Sequence, residues 1–83
     1  MSIIGVVDAA KLYIYANDHP PPHFHVLYAE HRAVIDIQTM KMRRGNLPKA
    51  KLRAIMKWAK PRKAQLLEAW NITQENLIPE KIR

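Results

Sequence analysis

Apolar and polar residues alternate with period two through the first half of the chain. Leu12, Ile14 and Ala16 share one side of 12–16, with Tyr13 and Tyr15 on the other. Phe24, Val26 and Tyr28 share a side of 24–28, and Ala33, Ile35 and Ile37 a side of 33–37. Such alternation marks half-buried strands. Residues 3–7 predict another strand, and 40–43 a short last one. After Pro48 the period changes. Leu52, Ile55, Met56 and Ala59 fall on one apolar helix face. Pro48 suits a first helical turn, with Asn46 as the cap just upstream. Pro61 breaks or kinks this helix. A second follows, with Leu66, Leu67 and Trp70 on its apolar side and a stop at Asn71. The tail 73–83 predicts a short helical turn before Pro79 and then frayed chain. Strands first and helices after predict an α+β fold. Its antiparallel meander has three to five strands within about 3–44, covered on one face by two helices within about 48–72. No repeat or linker divides the chain, so residues 1–83 read as one domain.

The alternation also predicts a register. Strands 23–29 and 32–38 are close enough in sequence to form a hairpin. If their apolar faces coincide, Phe24 opposes Ile37, Val26 opposes Ile35 and Tyr28 opposes Ala33. That pairing sets His25 across from Asp36 and His23 across from Gln38. Asp36 then lies diagonal to His23, within ~8 Å.

Charge is unevenly placed. Residues 1–40 carry two basic residues against four acidic ones, and residues 41–83 carry twelve against three, for a net charge of +7. Residues 41–63 hold ten basic residues and no acidic one. At 100° per residue, Lys49, Arg53, Lys57 and Lys60 fall within one ~80° arc beside the apolar face. Lys41, Arg43 and Arg44 precede that helix. This ridge predicts an anionic partner, either RNA or DNA bound through phosphates or an acidic partner protein encoded by a neighbouring gene. A solvated face that keeps a small protein soluble is the plainer reading. The start has no basic n-region, and nothing approaches the ~18 apolar residues of a membrane span. The expectation is a cytoplasmic protein with no membrane partner. There is no cysteine, which fits a reducing compartment and rules out zinc sites built from thiolates.

Candidate chemistry concentrates in Asn17-Asp18-His19-Pro20-Pro21-Pro22-His23-Phe24-His25-Val26. His23 and His25 stand at i and i+2, so they share a strand face. With Asp36 they form a candidate acid/base set, the carboxylate orienting an imidazole. Alternatively His19, His23 and His25 are candidate ligands for a divalent transition metal, which the sequence permits and does not require. The plain reading is a stiff strand entry with an ordinary cross-strand pair. Ser2 is the only serine, and Gly5 and Gly45 are the only glycines. A serine triad and glycine-rich phosphate loops are therefore excluded. Three functional readings stay open: a nucleic-acid binder, a metal-binding protein or metal-dependent hydrolase, and a non-catalytic protein-interaction module.

Several stretches together resemble a small bacterial family known as domain of unknown function 4160. They are Asp18 through Val26, Ala33-Val34-Ile35-Asp36-Ile37, Gly45-Asn46-Leu47-Pro48, and Trp58 and Trp70. The resemblance covers about residues 3–72. It implies a small member of a toxin–antitoxin-like gene pair and brings no activity with it. The family commonly has a histidine four residues after the first helical tryptophan, where this chain has Arg62.

Overall fold

A computed structural model describes residues 1–82 of the 83-residue chain. Five strands form one antiparallel sheet in sequence order: β1 Ser2–Val7, β2 Ala10–Ile14, β3 His23–Tyr28, β4 His31–Asp36 and β5 Met42–Gly45. The meander and its apolar faces follow the alternation. Leu12, Ile14, Phe24, Val26, Ala33, Ile35 and Ile37 are all buried in the core.

Turn chemistry sets the register. Asp8 and Ala9 both take positive φ, 46° and 67°, and close β1–β2 as a two-residue loop between Val7 and Ala10. Ala29, at φ 51°, opens an equally short loop that pairs Tyr28 with His31. This corrects the predicted pairing by two residues. Phe24 opposes Ile35, Val26 opposes Ala33, His25 opposes Val34, and His23 opposes Asp36. A two-residue shift keeps every side chain on its face, so apolar matching could not detect it. The tight turn decides instead.

The helical half is one joined segment. α1 (Lys49–Ala59) passes through a 3-10 turn, Lys60–Arg62, into α2 (Lys63–Gln74). Pro61 therefore bends the path without ending it. It sits where a 3-10 turn tolerates a missing N–H. Pro48, not Asn46, is the residue before α1, and its carbonyl accepts from the Leu52 amide at 3.0 Å. The helix also runs past Asn71. It stops where Asn76 adopts φ 60°, with Asn76 N–H bonded to Thr73 O and Leu77 N–H to Ile72 O. That pair of bonds is a Schellman motif, with asparagine in the left-handed position.

Ile55, Ala59, Leu66, Ala69 and Trp70 close the core over the sheet. Two lysines tie the segment to opposite ends of the sheet. Lys51 Nζ donates to Asp8 O at 2.6 Å and lies over the Tyr28 ring, while Lys63 Nζ donates to Gln38 O at 2.8 Å. The tail returns to β1, where the Ile82 amide donates to Ile4 O at 2.7 Å. The edge strand thus gains a partner where frayed chain was predicted. Among the described residues, no helix is long and apolar enough to cross a membrane.

Candidate functional site

β3 begins at His23, so its first and third residues point away from core residues Phe24 and Val26. Across the sheet, Tyr13, His25, Val34 and Arg44 are successive partners on β2, β3, β4 and β5. They form a row on the face opposite the core. The Tyr13 ring stacks on His25 with centroids 5.2 Å apart, and Tyr15 meets His25 edge-on at 4.8 Å. His23 is more enclosed, with its ring 5.1 Å from that of Trp70.

The carboxylate that meets these histidines is Asp18, on the loop between β2 and β3. Its Oδ2 lies 3.0 Å from His23 Nε2 and 3.0 Å from His25 Nε2. The second nitrogen of His23, Nδ1, is 2.8 Å from Pro21 O. A carbonyl oxygen only accepts, so Nδ1 carries a proton. In neutral His23 that leaves a bare lone pair on Nε2, aimed at a carboxylate oxygen that also has only lone pairs. The contact is favourable in two ways: His23 takes a second proton, or a cation lies between the groups. Burial alone would raise the Asp18 carboxyl. The hydrogen bond from His25 and the charges of His23 and His25 outweigh it and hold Asp18 below the usual carboxylate range.

Asp36 does other work. It lies across from His23, not His25, and its Oδ1 accepts the amides of Gln38 at 2.8 Å and Thr39 at 2.9 Å. It anchors the turn that leaves β4. His19 is exposed and stands outside the converging set. Asp18, His23 and His25 do converge, with their ligand-type atoms all within 4.8 Å of one another. Sequence reasoning passed over Asp18 because a loop residue has no strand register to place it. The one signal was its position at the head of the Asp18–Val26 motif.

Lys41, Arg43, Arg44, Lys49, Arg53, Lys57 and Lys60 are all exposed. Arg43 and Arg44 belong to β5, and Lys49, Arg53 and Lys57 to α1. Arg44 alone of these joins the His25 row. Trp70 is a core residue. Trp58 packs at the core edge under the Arg62 guanidinium, which donates to Trp58 O at 2.8 Å.

Residues 10–71 match the family model described as Domain of unknown function (DUF4160). The chain belongs to this family. The DUF4160 match runs from the first residue of β2 into α2, so Asp18, His23, His25 and the row across the sheet lie inside it. No curated protein and no solved structure matches the chain.

Proposed function

We propose that this DUF4160 protein binds a divalent transition metal through Asp18, His23 and His25, in a centre of the open, hydrolytic type. The observation that carries the reading is the convergence of Asp18, His23 and His25, whose ligand-type atoms lie within 4.8 Å of one another. With Nδ1 of His23 committed to Pro21 O, its Nε2 faces a carboxylate oxygen shared with a second imidazole. A cation satisfies all three groups at once. The Pro21 carbonyl then plays the part of the outer partner that fixes a ligand's tautomer. Donor atoms bound to zinc at about 2.0–2.1 Å sit roughly 3–4 Å from one another, so the preformed set needs little movement. Three protein ligands leave a position for water or a ligand oxygen, the arrangement of catalytic zinc sites.

Calorimetric titration with zinc, followed by histidine NMR, tests this. The expected result is saturation at one equivalent, with His23 and His25 shifting together and His19 and His31 unmoved. Asp18→Asn should weaken binding by about tenfold or more. Absence of saturable uptake would overturn the reading.

A second reading, nucleic-acid binding, is favoured by one observation. The exposed bases of α1 share an arc, and the α1 sequence, KAKLRAIMKWA, contains no acid. Binding through that ridge would contact about four phosphates and fall steeply with salt.

A further inference from the structure

On the face opposite the core, the sheet carries a groove of about 360 Å³, lined chiefly by Tyr13, Tyr15, His25, Arg32, Val34 and Arg44. We infer that this groove binds one nucleotide unit of a single-stranded nucleic acid, its phosphate held by Arg32 and Arg44 and its base laid against Tyr15. The assignment rests on the proposed metal centre for its chemical purpose, though not for its binding.

The groove's chemistry is one-sided. It holds two guanidinium groups and no carboxylate, and among the described residues no acidic side chain pairs with either arginine. The nearby carboxylates are occupied elsewhere, Asp18 by the two histidines and Asp36 by its turn. Unpaired arginine forks on a concave surface match phosphate oxygens. Tyr15 is 39% exposed, so its ring offers apolar surface at the rim. A sheet face with an accessible aromatic and flanking arginines is how single strands, whose bases are free to splay, are held. The volume suits one small group and not a duplex. His25 lines the groove and also touches Asp18. A phosphate on the arginines would therefore lie beside the proposed metal centre. The α1 ridge offers charge, but the one aromatic ring of that helix, Trp58, packs at the core edge under Arg62, which is why the groove is preferred.

The test is NMR titration of full-length protein, with and without zinc, using an eight-nucleotide single strand, a 5′-mononucleotide and inorganic phosphate. The single strand should shift the Tyr15, Val34 and Arg44 amides and bind more tightly than the mononucleotide. Arg32→Ala and Arg44→Ala should each weaken it by about tenfold, while zinc affinity stays within about twofold. The dependence of log affinity on log salt should have a slope of about −0.7, for one neutralised phosphate. Shifts confined to α1, a slope of about −3, or arginine variants with unchanged affinity would overturn the inference. Equal affinity for mononucleotide would overturn the commitment to a strand. Strand binding in the groove without any zinc uptake would remove the metal reading and leave this one standing.

Discussion

Asp36 shows how a buried carboxylate can hold backbone in place. It is 7% exposed, and the Thr39 amide does most to hold its carboxyl below the usual range. Burial opposes that effect, and the Gln38 amide, the Thr39 side chain and Arg43 add to it. Asp36→Ala would leave two amides in the turn without their acceptor and should cost about 1–3 kcal/mol. The sign of the pH dependence follows from the lowered folded value. The contribution is fully present above the unfolded pKa of about 3.9 and is lost as pH falls through the lower folded value. Urea denaturation of both proteins should therefore show the full gap at pH 6 and a smaller one near pH 3. A gap independent of pH would mean that ionised Asp36 does not stabilise the turn. At this scale the sequence named His23 and His25 correctly as neighbours on one face, because period two places them there. It assigned them the wrong carboxylate. Asp36 has a strand position and so invites pairing, whereas Asp18 reaches the histidines through the path of a loop, which periodicity does not describe.

The strands illustrate what alternation can and cannot specify. It settles which residues face the core, and Phe24, Val26, Ala33 and Ile35 are buried as it requires. It does not distinguish registers two residues apart. Turns make that choice here through Ala29, a residue type without a turn signature, held at positive φ. Asn76 ends the helical segment by the same left-handed conformation, and Asn71 was an equally reasonable sequence signal. Pro61 leaves the choice between a break and a kink open in the sequence, and the 3-10 turn that absorbs it makes it a kink, so the two expected helices are one joined segment. Gly45 is the point where the register of β5 depends on one residue. It pairs with Ala33 at φ 92°, and a Cβ there would press into the Arg32 carbonyl and the Ala33 Cα, both backbone. Gly45→Ala should destabilise by about 1–3 kcal/mol and loosen β5 specifically. Faster amide exchange at Arg44 and Asn46, with β2–β3 amides unchanged, is the expected signature. Uniform exchange rates would show that β5 tolerates the side chain.

For the whole molecule, the proposed metal centre, the groove and the fold share one strand. β3 carries His23 and His25 on one face and Phe24 and Val26 on the other, so holding the histidines together also holds the core strand in register. A small domain without disulfides has little stability to spare. Ligation by a loop residue and two strand residues should then stabilise the entire fold by mass action. At free zinc of about 100 times Kd, the gain is about 2.7 kcal/mol. In a domain of this size, 1 kcal/mol moves Tm by about 4–8 °C, so zinc should raise Tm by roughly 10–20 °C. A chelator should reverse the rise. His19→Ala should keep it, because that side chain is exposed and outside the converging set, while Asp18→Asn and His23→Ala should abolish most of it. Zinc bound loosely to scattered histidines gives a different pattern. It also binds the unfolded chain, so the shift is small, and losing His19 reduces it as much as losing His23 does. Differential scanning calorimetry of these four proteins separates the two cases. Equal shifts in wild type and Asp18→Asn would mean that the carboxylate between the two imidazoles holds a proton network and no metal.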